Sequence, residues 1–267
     1  MLKLLALVGF TLSLSQFSFS AEKLVLTGSS TVAPLLGEIA KRFEKSHNDV
    51  RVDVQTGGSS RGIADTRQGV ADIGMVSRAL KPSEKDLTAF TVAMDGIGMI
   101  VHSSNPIEKL TQEQILNIYK GKVKSWKNVG GPDKSVTVVN KAEGRSTLEL
   151  FLKHFQLKPY EIKASVIIGD NEQGIKTVAG NPNAIGYVSI GAAEFSISQG
   201  VNIKLLPLNG IVSSTENVRN GRFPLSRPLN LVAKGEVSGL KKQFIEFAKS
   251  SEVSDLVRDQ YFVSVEQ

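Results

Sequence analysis

The sequence predicts an α/β fold with mostly parallel sheets, and three observations lead to this prediction. Short apolar runs typical of strands alternate along the chain with amphipathic stretches typical of helices. Clusters of glycine and hydroxyl residues follow the apolar runs. Of the 267 residues, 41% are hydrophobic and 22% are charged, as in ordinary globular proteins. We therefore exclude disordered and fibrous architectures.

The first twenty residues have the pattern of a secretory signal peptide. A lysine precedes a short apolar run at 4–14, and the small residues Ser18 and Ser20 precede a predicted cleavage site. A transmembrane anchor needs about 20 apolar residues, so this run is too short. We expect residues 1–20 to be removed and the exported chain to begin at Ala21. A buried N-terminal helix is the alternative interpretation.

The strands and helices of the mature chain are predicted from the spacing of apolar residues. The predicted strands lie at 24–26, 50–54, 72–76 and 136–139. The predicted helices lie at 32–43, from Arg61 onward and at 148–155. This alternation of strands and helices is the pattern of an α/β protein.

Two extended apolar segments indicate that the chain forms two lobes. The segments at 91–101 and 223–232 are interpreted as strands that carry the chain from a first lobe to a second and back. A final helical stretch at 240–248 then rejoins the first lobe. The first lobe comprises residues 21–95 plus 226–267, and the second lobe comprises residues 96–225.

Four clusters of small and hydroxyl residues follow predicted strands, and a helix starts at three of them. They lie at 28–31, 57–60, 77–78 and 144–147. Ligands of open α/β sheets bind beyond the carboxyl ends of strands, and helix N-termini offer free N–H groups to anions. Each cluster alone is compatible with an ordinary helix cap. Four clusters at equivalent places, two with an arginine, predict a cradle for an oxyanion.

Several chemical classes are excluded by what the sequence lacks. Cysteine is absent, which excludes disulfides, thiolate metal sites, a cysteine nucleophile and a lipid-modified N-terminal cysteine. The three histidines lie in unrelated contexts, so no metal and no cofactor is expected.

The net charge of +6 permits nucleic acid, an acidic membrane or a small anion as the partner. The lysines around Trp126 favour a solvated surface with a packing anchor over a nucleic-acid strip.

Enzyme motifs are poorly represented. There is no P-loop GK[ST], no G-x-S-x-G elbow and no histidine beside a hydroxyl cluster. The carboxylates are scattered and do not predict a glycosidase-like pair. We therefore expect an anion site that captures its ligand without turnover, and no enzyme.

Six motifs in a fixed order carry a family resemblance. They are GSST at 28–31, GGSS at 57–60, DIG with SR at 72–78, AMDG at 93–96, IYKGK with a tryptophan and GG at 118–131, and EGRST at 143–147. Together they resemble the periplasmic phosphate-binding proteins of high-affinity phosphate ABC transporters, in their compact form. The resemblance covers nearly all of the mature chain. It implies the type II periplasmic-binding-protein fold, with two lobes, each a mixed sheet flanked by helices, joined by two crossover strands.

The resemblance also implies a function and a set of binding residues. It implies a monomer, periplasmic and without a lipid anchor, that closes on one inorganic phosphate ion and delivers it to an ABC permease in the inner membrane. By motif position, the phosphate-binding residues are Ser30, Thr31, Ser59, Ser60, Ser77 and Arg78 from the first lobe and Arg145, Ser146 and Thr147 from the second. The family often has Gly-Ser-Gly-Thr where this chain has 144–147, so a contact from Arg145 to the ion stays open.

Discrimination of phosphate from sulfate predicts one buried carboxylate in the site. Phosphate carries a proton that a carboxylate can accept, whereas sulfate offers only lone pairs. Asp95 is the candidate, because glycines at 96 and 98 allow close backbone approach. The alternative for Asp95 is a hinge residue hydrogen-bonded to backbone, while Asp72 is expected to brace the fold.

Three other functions stay open at this point. The same scaffold could bind another oxyanion, such as sulfate or molybdate. It could also be a secreted phosphatase-like enzyme, against which the missing nucleophile and base argue. A nucleic-acid-binding protein is the weakest alternative.

Overall fold

The structure is a computed structural model that describes residues 21–265, so the predicted signal peptide at 1–20 lies outside the described residues. The strands are β1 (Glu22–Gly28), β2 (Val50–Thr56), β3 (Ile73–Val76), β4 (Leu87–His102), β5 (Thr137–Lys141), β6 (Val166–Ile168), β7 (Ala184–Ser189), β8 (Ile203–Leu206), β9 (Ser226–Lys234) and β10 (Val263–Ser264). The helices are α1 (Ala33–Ser46), α2 (Ser59–Gln68), α3 (Gln112–Tyr119), α4 (Ser146–Phe155), α5 (Asn171–Ala179), α6 (Ile190–Ser198), α7 (Thr215–Arg219), α8 (Gly239–Lys249) and α9 (Ser254–Asp259).

The strands follow one path in the order β2-β1-β3-β9-β4-β7-β5-β6, with β8 and β10 also paired to β4. Strand β1 pairs in parallel with β2 and β3, and β5 pairs in parallel with β6 and β7. Strand β9 is antiparallel to β3 and β4, and β4 is antiparallel to β7 and β8. The predicted α/β fold with mixed sheets is confirmed. The narrower expectation of mostly parallel pairing is wrong, because the two long strands β4 and β9 run against their neighbours.

Strand β4 belongs to both halves of the molecule. Its first part pairs with β9, ending at the register pairs Asp95–Arg227 and Gly96–Ser226. Its second part pairs with β7, beginning at Ile97. The transition between the two halves therefore lies next to Asp95. The lobe boundaries given above stay a prediction.

Each half has its own apolar core. In the first, α1 packs on the sheet with its whole apolar stripe buried, and α8 covers the same core with Phe244. In the second, Trp126, Phe151 and Tyr187 are buried together, and α4 packs there through Leu148 and Phe151. The amphipathic spacing of α1 and α4 reflects this burial, since each helix presents one face to a core.

No helix within residues 21–265 has both the length and the apolarity needed to cross a bilayer.

Candidate anion-binding site

A small cavity lies where the predicted clusters meet. It is lined by Ser29, Ser30, Thr31, Gly58, Ser59, Ser77, Arg145, Ser146 and Thr147. Seven of these nine were predicted from the sequence, and Ser29 and Gly58 are their chain neighbours. The predicted residues Ser60, Arg78 and Asp95 are not among those that line the cavity.

Three helices begin around the cavity, and none has a side-chain cap. The cap positions of α1, α2 and α4 are Val32, Gly58 and Arg145, and no side chain there accepts a hydrogen bond from the first turn. In contrast, α3, α5, α6 and α7 are each capped by a side-chain oxygen. Helices α8 and α9 also lack one but contribute nothing to the lining. In α1 the Ala33 N–H already donates to the Ser29 carbonyl and Pro34 has no N–H, and in α2 the Ser60 N–H donates to the Gly144 carbonyl. The remaining first-turn N–H groups, those of α4 above all, are available to an anion.

The backbones of the two halves meet at Gly58. Its φ is +95°, and a Cβ built there would lie 2.7 Å from the Gly144 carbonyl oxygen and 2.9 Å from Cδ of Arg145. The Ser60 N–H donates to the same carbonyl at 3.2 Å. Only glycine fits a position with this φ and this clearance. The GGSS motif therefore allows α2 and the loop before α4 to close on the cavity from opposite sides.

Arg227, which the sequence analysis did not single out, lies behind the cavity. The residue is 1% exposed, and its Nε and Nη2 donate to Oδ2 of Asp95 at 3.1 and 2.8 Å. Its Nη1 donates to Ser77 Oγ at 3.3 Å and to Thr147 Oγ1 at 3.0 Å. Its Nη2 also donates to Thr31 Oγ1 at 3.3 Å. One guanidinium thus contacts three hydroxyl oxygens that line the cavity.

These contacts fix the direction of the hydroxyl hydrogens. A hydroxyl oxygen has two lone pairs and one hydrogen. Thr31 Oγ1 accepts from Asn171 as well as from Arg227, so both of its lone pairs are used and this hydroxyl can only donate. Ser77 Oγ also accepts from Arg227 and shares a hydroxyl–hydroxyl hydrogen bond with Ser29 at 3.0 Å. Arg227 thereby converts cavity-lining hydroxyls into donors for an anion.

Ser146 provides a further donor. Its side chain is 2% exposed, and its Oγ has no hydrogen-bond partner within residues 21–265. A buried hydroxyl without a partner costs about 1–3 kcal/mol. Thr27 and Thr66 also have such hydroxyls, but only that of Ser146 lines the cavity, where an anion would complete its bonding. Ser59 has the complementary arrangement, because its Oγ accepts from the Ser77 N–H at 3.1 Å and its own hydrogen stays available.

Asp95 is placed at the site but not on its surface. Its Oδ2 accepts twice from Arg227, and its Oδ1 accepts from Ser189 Oγ at 2.9 Å and from the Gly191 N–H at 3.2 Å. Asp95 was expected to contact the ion, but these partners place its carboxylate behind the cavity lining. The hydrogen bond from the Gly191 N–H is the kind of backbone contact that the alternative interpretation, a hinge residue, predicts. Asp95 neutralises and orients Arg227. Sequence alone could not show this, because the partner is 132 residues away.

Arg78 and Ser60 are also placed differently from expectation. The Arg78 Nη atoms donate to both carboxylate oxygens of Glu84 at 2.7 and 2.8 Å, and its Nε forms an ion pair with Glu149 at 3.1 Å. Burial by itself would lower the pKa of Arg78, but Glu84 and Glu149 outweigh it and raise that pKa. Arg78 in turn holds the pKa of Glu84 below its usual range despite burial. Ser60 Oγ donates to Glu149 at 3.2 Å.

Lys141 is a third cation near the cavity, beside Arg145 and Arg227. It is 3% exposed, and its Nζ donates to Asn171 Oδ1, whose amide donates to Thr31. Burial lowers the pKa of Lys141 to about 7, and the positive charges of Arg227 and Arg145 act in the same direction. A negative charge in the cavity would favour the charged form of this lysine.

The structure also places Asp72 and Trp126, which were predicted to have structural roles. Asp72 accepts a hydrogen bond from the Val25 N–H at 2.8 Å and so braces β1, as expected. Trp126 is buried in the second core and donates to the Asn183 carbonyl, so it serves as a packing anchor. Within residues 21–265, no group of three or more histidine or acidic side chains is arranged to hold a metal ion.

Comparisons with known proteins agree with this architecture. Residues 16–252 match the family model described as the PBP superfamily domain. The chain is 28% identical over 247 residues to phosphate-binding protein PstS of Bacillus subtilis, covering 91% of this chain and 80% of the relative. It is 30% identical over 235 residues to phosphate-binding protein PstS of Staphylococcus epidermidis, covering 83% of this chain and 72% of the relative.

Among solved structures, the fold is similar to a protein from Clostridium perfringens. That protein is described as a phosphate ABC transporter substrate-binding protein, and its crystal structure contains bound phosphate. The TM-score is 0.84 at 33% sequence identity, covering 92% of this chain and 100% of the other. The chain therefore belongs to the PBP superfamily and, within it, to the family of the phosphate-binding protein PstS.

Proposed function

We propose that this chain is a solute-binding protein that captures inorganic phosphate in the cavity and delivers it to an ABC-type membrane permease. The observation that carries the proposal is the convergence of donors from both halves of the molecule on one small cavity. Uncapped helix N-termini and hydroxyls turned outward by Arg227 are the groups that stabilise a buried oxyanion. Family membership supports phosphate as the ion.

The binding residues divide into two groups with different tasks. Those that line the cavity would contact the ion directly: Ser30, Thr31, Ser59, Ser77, Arg145, Ser146 and Thr147. Arg227 and Asp95 would act from behind them, by fixing hydroxyl directions and supplying a neutral, buried ion pair. The two halves correspond to lobes at 21–95 plus 226–267 and at 96–225, which close on the ion.

The proposal is binding without turnover. None of the nine residues that line the cavity is a histidine or a carboxylate, so no general base lies beside the serine hydroxyls. The relatives are likewise named for binding. We further propose that the chain acts as a monomer outside the cytoplasmic membrane, after removal of the predicted signal peptide.

The identity of the ion can be tested directly. The purified protein is denatured, and the released anion is identified by ion chromatography and mass spectrometry. We expect inorganic phosphate at one equivalent per chain, and titration calorimetry of the stripped protein should give one tight phosphate site. A protein that binds no phosphate, or that hydrolyses phosphomonoesters, would refute the proposal.

Binding of a second oxyanion is favoured by one observation. No carboxylate lines the cavity, so the groups that would accept the proton of phosphate are neutral oxygens such as Ser59 Oγ. A neutral acceptor disfavours sulfate less than a charged carboxylate does. We therefore expect sulfate to compete weakly but measurably, which a competition titration against phosphate checks.

A further inference from the structure

We propose that Glu149 is an interlobe clasp: a carboxylate on α4 that binds Arg78 and Lys81 when the cleft is closed and so sets how long the anion is held. The part about anion retention rests on the proposed function. The part about closure rests on contacts between the two halves of the molecule alone.

Among residues 21–265, the side-chain partners of Glu149 all come from the opposite side of the cavity. Its Oε2 lies 3.1 Å from Arg78 Nε and 2.7 Å from Lys81 Nζ, and its Oε1 accepts from Ser60 Oγ at 3.2 Å. Helix α4 packs into the second core. Arg78 and Lys81 follow β3, and Ser60 lies on α2, which packs against β1 and β3 in the first half. The carboxylate therefore joins two cations and a hydroxyl across the cleft.

Arg78 is already neutralised without Glu149. Both of its Nη atoms are bound by Glu84, and the Lys81 backbone N–H also donates to Glu84 at 2.8 Å. Arg78, Lys81 and Glu84 together carry one excess positive charge, which Glu149 balances. The Glu149 side chain is 25% exposed and that of Lys81 is 49% exposed. Separating them would leave neither as an unpaired buried charge, so this contact can form and break repeatedly.

The position of Glu149 couples the clasp to the cavity. It lies three residues after Ser146 in the first turn of α4, and Ser60 follows Ser59 in the first turn of α2. Both neighbours line the cavity. The movement that brings Ser146 and Ser59 together around an ion would therefore also bring Glu149 onto Ser60, Arg78 and Lys81.

The test measures phosphate release from Glu149→Gln by stopped flow. Glutamine keeps the size of the side chain but loses the charge that attracts both cations. We expect release about tenfold faster than in the wild type, with the association rate changed less than twofold. Lys81→Gln, at a half-exposed position where folding is not at risk, should shift release in the same direction. Raised salt should speed release in the wild type more than in Glu149→Gln.

Glu172→Gln is the matched control. Glu172 also lies in the first turn of a second-half helix, but its ion pair is with Lys176 on the same helix, at 3.0 Å. We expect a wild-type release rate for this variant. Equal release rates in the wild type and Glu149→Gln would overturn the clasp.

A second measurement separates the clasp from the identity of the ligand. Since the chain has no cysteine, Gln68→Cys and Lys153→Cys place labels only on exposed sites of α2 and α4. Without phosphate, we expect longer label distances in Glu149→Gln than in the otherwise wild-type protein. Unchanged distances would overturn the clasp. If the wild type bound no phosphate, the proposed function would fail while longer distances would still support the clasp.

Discussion

Two buried arginines, Arg227 and Arg78, flank the same cleft but use their donors differently. Both are at most 4% exposed, and both bind a buried carboxylate. Arg78 donates from both Nη atoms to Glu84, while its Nε lies 3.1 Å from Glu149 as an ion pair without a hydrogen bond. Arg227 shares its donors between Asp95 and three hydroxyls that line the cavity. Both arginines are neutralised by a carboxylate, but only Arg227 keeps N–H groups that donate to hydroxyls of the ligand site.

The difference shows that burial and pairing alone do not identify a binding arginine. What distinguishes Arg227 is the nature of its remaining acceptors, which are neutral hydroxyls with a hydrogen still to donate. Carboxylates can only accept, so the carboxylates around Arg78 have no hydrogen to offer an anion. Four predictions can break or sharpen this comparison.

Arg227→Met should have the largest effect. The substitution removes the guanidinium that donates to three hydroxyls of the cavity and leaves Asp95 as an unpaired buried charge. We expect phosphate affinity to fall more than about 100-fold and unfolding free energy to fall by about 3–5 kcal/mol, measured by calorimetry and denaturant unfolding. Adding Asp95→Asn should recover much of the stability but none of the affinity. A single variant with near-normal affinity would remove Arg227 from the site.

Arg78→Met should affect stability far more than binding. Glu84 would be left buried without its partner, and we expect unfolding free energy to fall by about 2–4 kcal/mol. Phosphate affinity should fall less than about tenfold, through the loss of one clasp contact. The same two measurements apply. Loss of affinity with unchanged stability would mean that Arg78 contacts the ion after all.

Lys141, which lies near Arg227, should make the free energy of unfolding depend on pH. Burial lowers its pKa to about 7 in the folded chain, whereas the unfolded chain keeps the ordinary value of 10.5. Between these values the unfolded state binds more protons, so stability must rise with pH. We expect Lys141→Met to be more stable than the wild type at pH 7. That advantage should shrink by about 2 kcal/mol by pH 9, as measured by denaturant unfolding. A constant advantage would contradict the lowered pKa.

Ser146→Ala should have the smallest effect of the four variants. It should lower phosphate affinity without lowering the free energy of unfolding. Its hydroxyl has no partner within the described chain, so removing it should leave stability unchanged or slightly raised. Phosphate affinity should fall by about 3- to 10-fold, for the loss of one neutral donor. Ser213→Ala is the control, because that buried hydroxyl donates to the Leu206 carbonyl. The control should lose stability and keep affinity, and the reverse pattern would refute the assignment.

Most of the fold and of the cavity lining could be predicted from the sequence, for a physical reason. The clusters at 28–31, 57–60, 77–78 and 144–147 lie at strand ends, and parallel strands bring such ends to one edge. The apolar spacing of α1 and α4 was likewise sufficient to predict these two helices, since each packs one face on a core. The antiparallel course of β9 was not predictable from apolar content alone.

The roles of the charged residues could not be predicted from the sequence in the same way. Arg78 follows a strand end beside Ser77, as a binding residue would, but its neutralising partner Glu84 is six residues further along. Arg227 lies within an apolar crossing segment, outside the hydroxyl clusters that predict the site. That setting was itself a signal, since an arginine between apolar strand residues must be buried and therefore needs a carboxylate. Only the fold showed that the carboxylate is Asp95.

The register pair Asp95–Arg227 has a mechanical consequence. The pair lies where β4 leaves its partnership with β9 and begins to pair with β7. If the proposed lobes turn against each other at this transition, the pair lies beside the axis of rotation. In a rotation, displacement grows with distance from the axis. Arg227 would therefore stay almost still while the walls that carry Ser59 and Ser146 swing through larger arcs. An arriving ion would then first meet the hydroxyls that accept from Arg227, and the moving walls would complete its coordination afterwards.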